Sequence, residues 1–520
     1  MSDNRTKNVI RNSTASLFQK LVQILSQFAL RTAFIYILGK EYTGVSGLFT
    51  DILHVLSLME LGLDSSMIFS LYQPLAQKDT RRVAALLNFY RTAFNVVGVI
   101  VLVAGTACLP FLPHIVKGVP NVKEDIRYIF MMYVAASAFS YFLIYKSVLL
   151  RADQKSSVIS KWTSIVSIVE CVLEILFLLI FKNFSVYLVI HLVATVGKNI
   201  IISRISTKMY SDYFAITEAV LTKSERIKLY KDLACLTVYN VSGVVINSTD
   251  SIFISAFVGT VEVAIIGNFT LILNAARTAV NQIVSATKPS IGNLAATSTY
   301  EKQEIVFKRM NFISFWVACF CCTNLFVLLN PFIGDLWFDP SYKVSTAIVA
   351  VLVVNFFIAV MVFPVESFRT ANGLFVQGWM RPAIMAVLNI VLDFIWGKLW
   401  GILGIFIATT VSRLATQVWY DPWLVYKKVF RKSCKSYLVD YVCYAGITAA
   451  SCAAAFVLCN WINIPDKLAA FFLKLLIVLI IPNFIVWLIY RKSDEYNYLK
   501  RTFSKIVNKV KGGGKSRSTE

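Results

Sequence analysis

Residues 38–53 read LGKEYTGVSGLFTDIL, and residues 258–273 read VGTVEVAIIGNFTLIL. At a constant offset, Gly39 meets Gly259, Gly47 meets Gly267, and Phe49, Thr50, Ile52 and Leu53 meet Phe269, Thr270, Ile272 and Leu273. Each stretch lies where the first apolar segment of a half passes into the second. Apolar runs long enough to cross a bilayer, about 20 residues each, surround both. Fourteen such runs can be read: 15–38, 46–72, 84–112, 126–149, 158–181, 184–203, 233–257, 264–287, 310–330, 344–368, 380–397, 401–420, 439–461 and 468–490. Six runs then form each half, with two more at the end. Six is even, so the second half re-enters with the orientation of the first, which makes the halves parallel repeats. That arrangement is a transporter design.

The expected fold is therefore an all-α polytopic membrane protein of about fourteen transmembrane helices. Two six-helix lobes in pseudo-twofold parallel repeat surround a central cavity, and two C-terminal helices follow. The lobes are expected at 1–205 and 233–426, joined by a cytoplasmic linker at 206–232. The last two helices occupy 427–490, and a basic cytoplasmic tail occupies 491–520. Within the linker, LTKSERIKLYKDLACL suits either an amphipathic helix on the inner leaflet or a plain solvated loop. A hairpin around Gly401 must separate two of the runs.

Composition supports this frame. Of 520 residues, 57% are hydrophobic and only 15% charged, with a mean hydropathy of +0.66, against about 25% charged in soluble domains. Disorder, nucleic-acid binding and an ordinary soluble enzyme are excluded. The net charge of +22 comes from 51 Lys and Arg against 29 Asp and Glu. With both termini cytoplasmic, 36 of the 51 fall on the inner face and eight on the outer. This is the bias that sets membrane orientation. No cleavable signal peptide is read at the N-terminus. The ten cysteines lie in the spans or near the inner face and imply no disulfide framework. Cys319, Cys321 and Cys322 lack paired metal-ligand spacing and read as small packing residues. GGGKS at 512–516 lies in the basic tail without the strand that a phosphate-binding loop requires.

Ionisable groups inside the spans carry the functional signal, because each is costly there unless it faces a cavity or a partner. The basic set is Lys20, Arg31, Arg91, Lys198, Arg277, Arg413 and Lys474. The acidic set is Asp51, Glu60, Asp64, Glu170, Glu174, Asp250, Glu366 and Asp393. Lys198, Arg413 and Lys474 sit near span ends and can snorkel. Lys20, Gln23, Gln27 and Arg31 recur at spacings of three, four and four and form one polar stripe on the first helix. The stripe either lines a wet cleft, where guanidinium and ammonium groups suit an anionic substrate, or pairs with neighbours, as Arg31 would with Asp51 or Glu60.

A second constellation is rich in oxygen. Asn389 and Asp393 share a helix face, Asp250 stands in NSTDS beside Asn247 and Ser248, and Thr409 and Thr410 lie on the twelfth helix. Such a set suits a small hard cation such as Na⁺ or a proton carried on Asp250 or Asp393. A buried hydrogen-bond network is the plainer alternative. Pro364 in MVFPVES interrupts the tenth segment and is expected to kink it, with Glu366 and Arg369 following. His54 and His191 fall in spans, where they read as packing or pairing groups rather than bases. His114 stands in the longest outer loop.

Several stretches resemble the Wzx-type polysaccharide flippases of the multidrug/oligosaccharidyl-lipid/polysaccharide exporter superfamily. They are LGKEYTGVSGLF, MELGLDSSM, NSTDSIFISAFVG, GNFTLILNA, KPSIGNLAA, FRTANGLFVQG, RPAIMAVLNIVLDFIWGKLWGILGIFIATTVSRL and YDPWLVYKKVF. They spread over about residues 10–430, and their order and number carry the resemblance. It implies a flippase, not an enzyme, in the bacterial cytoplasmic membrane. The cargo would be an oligosaccharide repeat unit on undecaprenyl pyrophosphate, moved from the inner to the outer leaflet for capsule or O-antigen assembly. Its partners would be that glycan, membrane lipids and the polysaccharide polymerase machinery, with no nucleic acid. Arg31 and Arg277 are the first expected pyrophosphate contacts, Lys20 and Arg91 the second, with Gln23 and Gln27 on the cavity wall. Superfamily relatives that flip the peptidoglycan precursor hold Na⁺ through a pattern that Asp250, Asn389, Asp393 and Thr409 match, and many polysaccharide flippases use protons. No other cofactor is implied. A drug or metabolite exporter of the same superfamily is the nearest alternative. A membrane polysaccharide ligase is a remoter one, because the outer loops are short.

Overall fold

A computed structural model describes residues 2–501 except 58–59, 117–121, 228, 230–247, 286–290, 292–293, 295–297, 375–377, 379 and 463. The chain is all-helical, and twelve helices among the described residues are long and apolar enough to cross a membrane. The first half holds α1 (Ser2–Leu38), α2 (Lys40–Leu56), α3 (Glu60–Ala76), α4 (Thr80–Cys108), α5 (Ile126–Ala152), α6 (Ser156–Phe181) and α7 (Phe184–Met209). The second holds α8 (Thr260–Ser285), α9 (Tyr300–Pro331), α10 (Thr346–Ala371), α11 (Met380–Trp400) and α12 (Ile402–Val425). The chain then adds α13 (Lys435–Asn460) and α14 (Lys467–Tyr490).

Twelve of the fourteen expected runs correspond to these long helices. The run 46–72 departs from expectation: it is divided between α2 and α3, each 17 residues long. Apolar composition runs on past the end of α2 at Leu56, and residues 58–59 lie outside the described residues. The run 233–257 lies mostly outside the described residues, with helix present from 248 to 257. In the linker, 223–227 is helical and the rest of its amphipathic stretch is largely outside the described residues. The helix of α10 continues through Pro364.

Local chemistry sets the helix ends. Asp79, Asn183, Ser345 and Asp466 accept backbone N–H bonds at the starts of α4, α7, α10 and α14, satisfying donors that a first turn leaves open. Gly39 (φ 95°) turns α1 into α2, and Gly401 (φ 59°) turns α11 into α12, a region that glycine enters without steric cost. The expected hairpin at Gly401 is therefore a one-residue turn. It is tightened by Gly404, where a Cβ would fall 2.0 Å from the carbonyl oxygen of Trp396.

By its internal contacts the chain forms two compact units. One comprises 1–267 and 379–408, the other 268–378 and 409–520. The first is built on a core of Met67, Leu71, Leu87, Tyr90, Phe94 and Tyr145 from α3, α4 and α5. Close helix approach adds to it: Gly105 of α4 lies where a Cβ would meet Val134 at 2.7 Å. In lipid, small residues that admit close backbones do much of the work that hydrophobic burial does in water. The second unit is aromatic. Phe315 of α9 stacks on Tyr444 of α13 at 4.0 Å, and Trp316 donates to Asn483 of α14 at 2.8 Å. These bonds fasten the last two helices to α9. Cys319 and Cys322 are buried on α9, with thiol contacts to the Ser451 hydroxyl and the Val353 carbonyl.

Candidate functional site

The two repeated stretches touch each other. Gly44 of α2 lies against the backbone of α8, where a Cβ would sit 2.0 Å from the carbonyl oxygen of Thr260, and Gly47 faces Val263 at 3.6 Å. Gly267 of α8 lies in turn against Arg31 of α1, its virtual Cβ 2.4 Å from Nη2. The guanidinium donates to the main-chain oxygen of Ala264 at 2.8 Å. At the repeat offset Arg31 corresponds to Ser251, and Ser251 hydrogen-bonds Asp51 of α2. The first helix of one half thus meets the second helix of the other in both directions. At Gly44 the obstructing atoms are backbone and leave no room for a side chain, whereas at Gly267 they belong to the tip of the Arg31 side chain.

The polar stripe of α1 is present as expected in spacing. Gln23 and Gln27 are exposed, Lys20 and Arg31 half-buried, and Lys20 reaches the side-chain oxygen of Gln23 at 3.5 Å. Leu17, Leu21 and Leu25 are exposed as well, so the helix carries both an apolar and a polar accessible face. Of the two pairing partners considered for Arg31, Asp51 bonds Ser251 and lies 3.8 Å from Nδ1 of His54. The side chain of Glu60 is outside the described residues. Arg91 is exposed on α4, with Tyr145 and Lys146 of α5 as charged and polar neighbours. Lys146 adds a cation that hydropathy did not single out, because it lies near a helix end. Its ammonium donates to Thr207 at 3.0 Å. Arg277 is half-buried and faces the carboxylate of Glu366. It belongs to the second unit, whereas Lys20, Arg31 and Arg91 belong to the first.

The oxygen-rich set is better defined. Asn389 and Asp393 are fully buried on α11, and the amide donates to Asp393 Oδ1 at 3.2 Å. Asp250, on the helix 248–257, is the charged group nearest in effect to Asp393. The same two helices pack through Phe257, which meets Phe394 at 5.8 Å and closes over Gly397. Asp393 Oδ2 is buried and has no hydrogen-bond partner among the described residues. Two carboxylates brought together away from water repel unless a proton or a cation lies between them. The donors are carboxylate and amide oxygens, which fit a small hard cation. Asn247 lies outside the described residues. Thr409 is buried and falls in the second unit.

A further cluster joins α6 to α7. His191 Nδ1 lies 3.0 Å from Glu170 and 3.4 Å from Glu174. His191, expected to be a packing or pairing residue, is thus paired with two carboxylates.

Fold and site together define an all-helical, multi-pass membrane protein with a transporter-type fold. No family model and no curated protein sequence matches the chain. Among solved structures it is similar to the lipid II flippase MurJ in an inward closed conformation. That likeness has a TM-score of 0.66 at 12% identity, over 93% of this chain and 99% of that one. It is also similar to an inward-facing multidrug resistance MATE family transporter of the MOP superfamily (TM-score 0.56, 13% identity, 78% and 97% covered). A MOP superfamily transporter from Pyrococcus furiosus shares the fold as well (0.51, 14% identity, 82% and 97%).

Proposed function

We infer that the chain flips undecaprenyl-pyrophosphate-linked oligosaccharide repeat units from the inner to the outer leaflet of a bacterial cytoplasmic membrane, by cation-coupled alternating access. The observation that carries this reading is the extent of the likeness to a lipid flippase. It covers 93% of this chain, whereas the likeness to the inward-facing MATE transporter covers 78%. A sugar chain crossing hydrocarbon would lose water from every hydroxyl at a cost of several kcal/mol each. A wet route lined by Gln23, Gln27, Lys20 and Arg31 removes that barrier and meets the pyrophosphate with positive charge. Arg277 and Arg91 are the further proposed pyrophosphate contacts. Asp250, Asn389, Asp393 and Thr409 are the proposed cation-coupling residues, for Na⁺ or H⁺. The likeness to MATE transporters supports a drug or metabolite exporter as the second reading.

Deleting the protein and identifying what accumulates separates the two. The flippase reading expects a lipid-linked glycan on the inner leaflet, cleared by the wild-type chain. Arg31→Ala and Arg277→Ala chains should reach the membrane but fail to clear it. Normal polymer export from the double variant removes the assigned role of these arginines. Absence of a lipid-linked intermediate removes the flippase reading itself.

A further inference from the structure

Glu170 and Glu174 stand one turn apart on α6 and project toward His191 of α7. One oxygen or nitrogen from each of the three lies within 4.8 Å of the others. We propose that these residues form a binding site for a divalent transition ion of the Zn²⁺ class, separate from the cation-coupling set on α11.

Three observations carry the proposal. The first is geometric. Metal–ligand bonds of about 2.0–2.1 Å in a tetrahedron set ligand atoms about 3.3–3.4 Å apart. The imidazole Nδ1 stands 3.0 and 3.4 Å from the two carboxylates, so small side-chain shifts admit an ion. The second is charge. Nδ1 carries at most one proton and cannot donate fully to both carboxylates. The cluster keeps a net negative charge whether the imidazole is neutral or protonated. Among the described residues no lysine or arginine forms a salt bridge with it. A divalent cation with two carboxylates and a neutral imidazole sums to zero, which matters where the surroundings are apolar. The third is an open valence. Glu174 is 2% exposed, and its Oε1, which faces His191, has no hydrogen-bond partner among the described residues.

The surroundings hold the imidazole in place. Tyr187, one turn before it on α7, stacks on the ring at 6.0 Å with planes 15° apart. Tyr133 of α5 flanks it at 6.2 Å and bonds both Tyr187 and Ser46. Such outer contacts orient a ligating histidine. His191 remains 34% exposed, which leaves an entry side. Two carboxylates and one imidazole are donors suited to Zn²⁺ and its neighbours, and an ion there would tie α6 to α7.

The test is metal binding by the full-length chain, and it is independent of transport. Protein purified in detergent without a polyhistidine tag and stripped with chelator is titrated with Zn²⁺ by calorimetry, and with Co²⁺ by visible absorption. One saturable equivalent is expected, with the absorption bands of a low-coordinate Co²⁺ site. Glu174→Gln keeps shape and volume and should weaken binding by about 100-fold or more, as should His191→Gln. His54→Gln, at a histidine 62% exposed beside Asp51, should leave it unchanged. If His191→Gln does not yield folded protein, Glu174→Gln and the Co²⁺ spectrum decide. No saturable equivalent in the wild type, or equal affinity in Glu174→Gln, overturns the site and leaves the cluster an internal ion pair.

Discussion

Replacing Gly44 by alanine tests whether the contact between the repeated stretches is as tight as the backbone geometry states. The added Cβ would lie 2.0 Å from the Thr260 carbonyl oxygen and 2.9 Å from its carbon. A carbon resting on a carbonyl oxygen sits about 3.3 Å away, so α2 and α8 must separate by roughly 1.3 Å. The obstructing atoms belong to the backbone, and no rotamer change relieves them. Overpacking of this kind costs about 1–3 kcal/mol, equivalent to about 5–150-fold in the population with the helix pair parted. Gly47→Ala is the control on the same helix, because its Cβ would meet Val263 at an ordinary 3.6 Å. The assay is maleimide labelling of Thr260→Cys, a position 2% exposed, in a chain whose ten native cysteines are replaced. Gly44→Ala should raise the labelling rate by about one order of magnitude, the middle of that range, and Gly47→Ala should leave it unchanged. Equal rates in the two variants would refute the close approach.

Asp393→Ala should abolish the response of glycan translocation to Na⁺ or to pH, measured in vesicles with imposed gradients; a wild type indifferent to both removes the coupling role. Arg369 and Asp421 form an ion pair at 3.0 Å with side chains only 5% and 7% exposed. Asp421→Ala alone should therefore cost about 3–5 kcal/mol of stability, whereas the double change Arg369→Met, Asp421→Leu should recover most of it, as read by thermal unfolding in detergent. Glu225 is held below the usual glutamate value by its bonds from the Thr222 hydroxyl and backbone N–H, helped by Arg82. A depressed carboxylate stabilises above its unfolded value, and the contribution is lost as pH falls through its folded one. Exchange of the Thr222 amide should therefore quicken, beyond its intrinsic pH dependence, only at acid pH, and a pH-independent protection factor would contradict this. Reporters fused after residue 340 should lie outside and those after residue 432 inside; the reverse pattern would overturn the assigned orientation.

Most of the spans were legible because a bilayer demands long apolar runs, and composition records these directly. The end of α2 at Leu56 was not, since the apolar run continues past it and neither proline nor glycine stands at residues 57–59. Asn389 and Asp393 were legible as a pair because a spacing of four puts them on one helix face, and they are bonded. The stripe ending at Arg31 was visible for the same reason. Its bond to the Ala264 carbonyl was not, because main-chain acceptors leave no mark in side-chain identity. Only Gly267, recurring at the repeat offset, pointed to that place. The partners of His191 were not legible for another reason: the two glutamates share a helix, but the histidine is brought to them by the packing of the next one.

The way the intramembrane charges are satisfied carries a functional consequence. Arg31 and Arg413 donate to main-chain carbonyls, those of Ala264 and Asn355, and Lys146 donates to a threonine hydroxyl. A carbonyl oxygen accepts from a guanidinium and fixes its orientation without itself bringing a counter-charge. Two pairs of carboxylates are gathered with one another, Asp393 with Asp250 and Glu170 with Glu174 around one imidazole, whereas Glu366 faces Arg277. A buried arginine–carboxylate pair of the ordinary kind stands at Arg369 and Asp421, 3.0 Å apart. Carboxylates gathered with one another repel unless a proton or a cation lies between them, which suits both carboxylate pairs to cations.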